Sequence, residues 1–390
     1  MRPLRLCAPA HPTLPPTERR AGSTAHPRSL DAVEPNDTTD PTPGGPERAV
    51  EAWAAYNDDR VIVDITEVSA FVSTNHVYRC SLSDGSAVIA KVSSYGSYFL
   101  FCEDHDRLHA CHRLLDGTRH ARLLADVLTQ DGRPFTHYDG RTWVVFYDEV
   151  PRGRSLPRIL TDGQITTFAQ EIALFHRACA DIAPKIPLTS TSIKADAIHL
   201  LDLVTNPRSA KRFVLNAAQL AVVERHTHDF LVTLDTLRYD YWPKIPVLID
   251  WNLGNFSITG EEGDDDFRLY SRWDYDWFRI EPRMMDFYFL SRVSSSTGDR
   301  THFTYSPHTL VEPRFIEFLT AYHRIFPLRP DDIAFTREAY RFFILHYVIA
   351  NGDRFFRDDL WKRLQKEAVS IYLPAVDDLD LRPLIDVVTL

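Results

Sequence analysis

From Val61 to Val150 the chain reads as short strands with one helix among them, and after Gly153 its apolar period becomes helical. Strands send side chains to alternate faces, whereas helices return to one face every three to four residues. This single switch restricts the chain to a β-rich part followed by a helical one. Val61-Ile-Val-Asp-Ile65 is apolar and β-branched, His76-Val-Tyr-Arg-Cys-Ser-Leu82 alternates, and Ala87-Val-Ile-Ala-Lys-Val92 supplies a third strand. Ser83-Asp-Gly85 is a hairpin turn, because glycine tolerates the positive φ that such turns require. A helix is expected over about Phe99 to Leu115. A second hairpin follows, with a strand near Leu123–Thr129, the turn Asp131-Gly132 and a strand over Thr142–Tyr147.

Thr161-Asp-Gly-Gln164 fits a capping box, in which the Thr hydroxyl and the Gln side chain satisfy free amides at a helix start. Ile165, Phe168, Ala169, Ile172 and Phe175 then fall on one face. Ala217–Leu237 and Glu338–Ala350 are further amphipathic helices, the latter with a stripe of Tyr340, Phe343, Ile344 and Tyr347. Between them lie strand-like stretches, Pro246–Ile258 and Phe267–Trp273, separated by the acidic run Glu261-Glu-Gly-Asp-Asp-Asp266, which reads as a solvated hairpin tip. The expected fold class is α+β and two-lobed, with a small β-rich N-lobe, a larger helical C-lobe and a cleft between them where ligands bind.

The first 48 residues stand apart. They hold 10 of the 25 prolines and no Phe, Trp or Tyr, too little apolar area to offset their chain entropy, so a disordered tail is expected over 1–48. The N-lobe is then expected over 49–150 and the C-lobe over 151–390. In the whole chain of 390 residues, 44% hydrophobic and 12% aromatic content is ample for a core. A formal charge of −10 disfavours nucleic-acid binding, which needs a basic footprint. No apolar run approaches the roughly 20 residues that span a bilayer. Met1–Ala10 carries Arg2 and Arg5 without an apolar core of signal-peptide length. Five cysteines with no CxxC pair point to a reduced, cytoplasmic setting.

Leu248-Ile-Asp-Trp-Asn-Leu-Gly-Asn-Phe-Ser-Ile258 places Asp250 just after an apolar strand and Asn255 five residues on, before the next apolar run. A second strand leads to Arg272-Trp-Asp-Tyr-Asp-Trp277, then to Glu281, Pro282 and Asp286. A hairpin joining the two strands would bring Asp274 close to Asn255. An amide oxygen and a carboxylate suit Mg2+, a hard cation usually bound by one or two carboxylates plus phosphate oxygens. Asp250 beside that ion could take a proton from a substrate hydroxyl. Asp276 is a second or alternative ligand, and Asp286 reads as a buried acid bracing the loop. Each acid alone would be a turn residue; their common register is what speaks for chemistry. Cys102, His105, His109 and His112 share a helix face, with His105 and His109 at a zinc-competent spacing. A polar helix face accounts for them, because no matching ligand pair is evident elsewhere.

These residues resemble the aminoglycoside phosphotransferase and choline/homoserine kinase branch of the protein-kinase-like fold. That group's catalytic loop reads approximately H-x-D-x-x-x-x-N, followed by a metal-binding Asp about two strands on, then a Gly-Pro or similar pair and a buried Asp. Asp250, Asn255, Asp274, Pro282 and Asp286 stand in that order and spacing. The resemblance covers about Val61 to Asp286. Upstream, Ser73-Thr-Asn-His-Val-Tyr78 resembles the nucleotide loop at Thr74, Asn75 and Tyr78. Lys91 closes the third strand, where the group keeps the Lys that contacts ATP phosphates, and Glu103 lies about where its partner Glu stands. Phe146-Tyr-Asp-Glu-Val150 is similar to the hinge around the adenine, implicating Tyr147, Asp148 and Glu149. Gly153-Arg-Ser-Leu156 and Leu174-Phe-His176 are similar to the turn and helix that follow.

The resemblance implies an ATP- and Mg2+-dependent small-molecule kinase that phosphorylates a hydroxyl of an amino sugar, amino alcohol or antibiotic-like acceptor. The acidic charge and the lack of a bilayer-length apolar run leave no nucleic-acid or membrane partner expected. In such a reaction Lys91 and the ion hold phosphates while Asp250 orients the acceptor hydroxyl. Three positions depart from the pattern. Leu248 replaces the loop His, Asn252 stands where many relatives have a second His, and the loop from Ser69 to Asn75 has no glycine. These departures favour the alternative of a kinase-like binding protein without turnover. Two further alternatives are nucleotide transfer on the same fold and an unrelated α+β scaffold in which the aligned acids lie far apart.

Overall fold

The computed structural model describes residues 44–69, 75–94, 96–261, 263–299 and 304–389. The first helix, α1 (Pro46–Tyr56), opens on a proline, whose missing amide hydrogen costs nothing in a first turn. Its start falls three residues before the boundary expected after residue 48; the rest of the expected tail, 1–43, lies outside the described residues. Five strands follow it: β1 (Ile62–Glu67), β2 (His76–Leu82), β3 (Ala87–Ser93), and later β6 (Thr136–Tyr138) and β7 (Trp143–Asp148). They form one antiparallel sheet in the order β1-β2-β3-β7-β6. Because side chains alternate along a strand, Val88, Ala90 and Val92 of β3 join Tyr78, Cys80, Phe146 and the α1 residues Ala49, Ala52 and Trp53 in one core. Ile89 and Lys91 are thereby turned to the opposite face.

That face meets α2 (Tyr98–Leu115), which buries Leu108, Cys111 and Leu115. The strand expected at Leu123–Thr129 is reduced to β4 (Thr129–Gln130), paired with β5 (Arg133–Pro134), plus one bridge from Val127 to Tyr147. At its start, side chains have taken two backbone groups, while Asp126 and Leu128 still bond the backbone of β7. The Ala125 amide donates to Tyr275 Oη at 2.8 Å, and the Leu124 carbonyl accepts from His112. Asp131 and Gly132 form the expected turn, both left-handed with φ of 53° and 77°.

The C-terminal part begins with α3 (Asp162–Ile182). Its capping box is formed as expected: the Gln164 amide donates to Thr161 Oγ1 and the Thr161 amide to Gln164 Oε1. Ile165, Phe168, Ala169, Ile172 and Phe175 are all buried. Next come α4 (Ile193–Thr205) and α5 (Ala217–Thr236), then four short strands: β8 (Ile245–Val247), β9 (Phe256–Thr259), β10 (Arg268–Arg272) and β11 (Arg279–Glu281). β9 pairs with β10 and, outside that hairpin, β8 pairs with β11. The nesting decides the site, because it sets the loop 248–255 beside the loop 273–278 at one end of two stacked ladders. The remaining helices are α6 (Phe287–Ser294), α7 (Pro313–Ile325), α8 (Pro330–Phe343), α9 (Gly352–Phe355), α10 (Asp358–Glu367), α11 (Leu373–Asp377) and α12 (Arg382–Thr389). α8 runs on through a π-helical stretch, Ile344–Ala350, and the expected stripe Tyr340, Phe343, Ile344 and Tyr347 is buried. No helix among the described residues is long and apolar enough to cross a membrane.

The two parts are joined by the extended segment after β7. Its Arg154 exchanges both backbone hydrogen bonds with Ile258 of β9, at 2.9 and 2.8 Å. Gly153 lies so close to β9 that a Cβ there would come within 2.5 Å of the Ile258 carbonyl oxygen. A glycine is required at that crossing.

Candidate active site

Lys91 points from β3 into the cleft and is 8% exposed. Its ammonium forms an ion pair with Asp276. Burial pushes its pKa down, against the opposing pull of Asp274 and Asp104. The second Asp276 oxygen accepts a hydrogen bond of 2.7 Å from Asn75 Nδ2. Asp276 is thus held from β3 and from the residue that precedes β2.

Glu103 does not pair with Lys91, contrary to expectation. Its carboxylate binds Arg107 at 2.6 Å and accepts from the amide and hydroxyl of Ser190 in the loop before α4. A helix turns about 100° per residue, so the α2 residues directed toward the lysine are Asp104 and His105 instead. Asp104 is open to a cavity, yet enough protein surrounds it to push its carboxyl up to about 7, against the pull of Arg279 and Arg107. His105 bonds the Phe101 carbonyl at 2.6 Å and Tyr147 Oη at 2.5 Å; burial beside Lys91 pushes it down to about 3. His109 and His112 are engaged with Asp126 and the Leu124 carbonyl.

The loop carrying Asp250 is braced from below. Asp286, fully buried, accepts the Leu248 and Ile249 amides on Oδ1 at 3.1 and 2.7 Å, and Trp251 Nε1 and His176 Nε2 on Oδ2 at 2.7 and 2.9 Å. His176 bonds Tyr322 Oη in turn. This bracing holds Ile249 at φ 60°, a left-handed conformation strained for a β-branched residue. Trp251 packs among Phe168, Phe175 and Phe256. Burial, then the neighbouring Asp274, pushes the Asp250 carboxyl up to about 6, and Arg272 pulls the other way.

Asn255 Nδ2 donates to the Asp250 carbonyl at 3.4 Å, and the Trp273 amide donates to the Asn255 carbonyl at 2.9 Å. Asp274 follows with φ 68°, its carboxylate exposed. Asp250, Asn255 and Asp274 therefore meet where the two nested loops touch. Arg272, which sequence reasoning left without a role, fastens that junction. It is fully buried, and its Nη2 reaches the carbonyls of Leu248, Asp250 and Asp274 at 3.4, 2.8 and 3.3 Å. The only sequence signal was a charged residue ending an otherwise buried strand.

Two cavities share the wall formed by Lys91, Tyr275 and Asp276. The smaller, about 330 Å³, gathers Asn75, Lys91, Tyr147, Asp148 and Glu149 together with Asn255 and Asp274. The Asp148 amide there is already donated to the Asp126 carbonyl, and the Glu149 carboxylate forks onto Arg79 at 2.6 and 2.9 Å. The larger, about 470 Å³, lies between α2, α4 and the π-helical stretch, and Asp104 and Asp276 line it. Thr74 lies outside the described residues. Of the other expected site residues only Asp250 and Glu103 are absent from the lining of the smaller cavity.

No family model matches this chain, and no curated protein does. Solved structures do. Amicoumacin kinase hAmiN in complex with AMP-PNP, Ca2+ and Ami aligns with a TM-score of 0.57 at 16% identity, over 87% of this chain and 97% of that one. The microcompartment-associated aminopropanol kinase aligns at 0.53 and 16%, over 87% and 98%. The GDP and kanamycin complex of APH(2")-IIia aligns at 0.51 and 13%, over 83% and 97%. The resemblance read from the motifs holds at the level of fold: the chain has the two-lobed, kinase-like architecture of these small-molecule kinases and phosphotransferases.

Proposed function

We propose that the protein is a cytoplasmic ATP- and Mg2+-dependent phosphotransferase acting on a hydroxyl of a small molecule, an amino sugar, amino alcohol or antibiotic-like acceptor. The observation that carries this reading is the convergence of Asn255, Asp274 and Lys91 on one cavity, with Asp250 at the same loop junction. In this reading the backbone after Tyr147 flanks the base, and Lys91 neutralises phosphate oxygens. Asp250 orients the acceptor hydroxyl and accepts its proton, a task suited to a carboxyl raised toward neutrality.

The donor set fits a hard cation. Asn255 turns its amide nitrogen to the Asp250 carbonyl, leaving its oxygen as a ligand, and the Asp274 carboxylate is open. Among the described residues no group of three His, Cys, Asp or Glu forms a closed metal cage. Two protein oxygens completed by phosphate and water suit Mg2+. When bound, the ion supplies charge neutralisation between the phosphates.

A binding protein without turnover is the reading that Leu248 favours, and one assay separates the two. ATP consumption with Mg2+ is measured against amino sugars, amino alcohols and macrolides. We expect turnover with one class, a loss of roughly 10²- to 10⁴-fold in Asp250→Asn, and an unchanged nucleotide-induced thermal shift in that variant. Normal turnover by Asp250→Asn would remove the role given to that acid. Nucleotide binding with no consumption across the panel would favour the binding protein.

A further inference from the structure

We propose that Asp276, held by Asn75, is the residue that positions the Lys91 ammonium, and that Glu103 has no part in it. The proposal rests on the reading above only in taking Lys91 as the phosphate contact. Three observations carry it. Lys91 makes its ion pair with Asp276, and Asp276 in turn is tied by its other oxygen to Asn75, the residue just before β2. Lysine, anchor and clamp therefore link the sheet to the loop that carries Asp274, and among the described residues α2 makes no hydrogen bond or ion pair to the lysine, acting on it only through the nearby charge of Asp104. Glu103 is occupied by Arg107 and by both polar groups of Ser190, which ties α2 to the loop before α4. Finally, the pair forms the partition between the two cavities, so the lysine head is fixed at the edge of the smaller one.

A buried ammonium on a flexible four-carbon stem needs such a partner. Without it the head either leaves the low-dielectric site or loses its proton. Asp104 is the one rival on α2, since it faces the same partition. Asp276 differs from it in making direct contact with the lysine.

The proposal is tested by two readouts, one of which needs no nucleotide. In the first, the full chain is treated with an amine-modifying anhydride and acylation of Lys91 is followed by peptide mass spectrometry. We expect Lys91 to be protected in the wild type, in Glu103→Gln and in Asp104→Asn. It should react at least about fivefold faster in Asp276→Asn, an isosteric change, and be protected again in Asp276→Glu. In the second, affinity for a non-hydrolysable ATP analogue is measured in EDTA. Asp276→Asn should weaken it about tenfold, the order of a charge-assisted contact. Lys91→Met should weaken it as much, and the double variant no further. Equal acylation in the wild type and Asp276→Asn, or deprotection by Glu103→Gln or Asp104→Asn instead, would overturn the proposal. An affinity loss in Asp276→Asn that appears only when Mg2+ is added would also overturn it, making Asp276 a metal ligand. If the wild type binds no nucleotide, the functional reading falls while the acylation result still decides the positioning.

Discussion

Arg272 supports the loop around Asp250 from behind. Three carbonyls from two loops converge on one guanidinium, whose planar face lies 5.0 Å from the centre of the Trp251 ring. Its Nε and Nη1 are buried and find no hydrogen-bond partner among the described residues. Arg272→Met is expected to lower unfolding free energy by about 2–4 kcal/mol, because the buried Leu248 carbonyl and the part-buried Asp250 and Asp274 carbonyls lose their donor. Arg272→Lys should recover little of this, since an ammonium cannot span the same three acceptors. Urea melts of the two variants check this; a methionine variant as stable as the wild type would remove the brace. Residues of this kind were poorly legible in the sequence. Asp250, Asn255, Asp274 and Asp286 were readable because their spacing along the chain is also their spacing in space, set by two short ladders. The Lys91 partner was not, because a helix offers three adjacent acids, Glu103, Asp104 and Asp106, whose directions differ by about 100° per residue. The residue that actually meets the lysine comes from a loop 185 residues away in sequence.

Among the elements, the long amphipathic helices and the alternating strands were legible, as the buried faces of α3 and the π-extended α8 show. What escaped was short or claimed by side chains. β11 is three residues long and mostly polar, yet its pairing with β8 closes the outer ladder. The first half of the expected strand at 123–129 is claimed by Tyr275 and His112, and only Asp126 to Leu128 keep backbone bonds to β7. Asp286 illustrates how such elements are held, since one carboxylate satisfies two amides, an indole and an imidazole. Asp286→Asn keeps the shape but offers one acceptor oxygen in place of two and turns an NH2 toward the indole and imidazole donors. The expected cost is about 2–3 kcal/mol. The strained Ile249 should then relax and the loop lose its register, so turnover falls more than nucleotide affinity does. Denaturation combined with a comparison of kcat and nucleotide affinity checks this. Unchanged stability would mean that the network of Tyr322, His176 and Asp286 does not hold the loop.

At the scale of the whole molecule, the described fold begins earlier than its composition suggests. The proline-rich opening contains no Phe, Trp or Tyr, which puts the expected boundary after residue 48. In the structure the Gly44 carbonyl already accepts from Tyr78 Oη at 2.5 Å, and α1 starts at Pro46. Trp53 is 4% exposed, meets the Phe146 ring edge-on at 5.1 Å, and donates its Nε1 hydrogen to the Arg60 carbonyl. Tyr56 Oη reaches the Thr129 carbonyl, so α1 also fastens the β4–β5 hairpin. This packing lies directly behind Ala90 and Val92, the residues flanking Lys91 on β3. Loss of α1 should therefore act on the site as well as on stability. A chain starting at residue 58 is expected to melt well below one starting at residue 44 and to bind nucleotide more weakly, because the strand holding the lysine loses its backing. Trp53→Ala isolates the same effect without shortening the chain, with an expected loss of about 3–5 kcal/mol. Differential scanning calorimetry and nucleotide titration of the three proteins test both halves. Equal melting of the two truncated chains would show that the sheet carries Lys91 without help from α1.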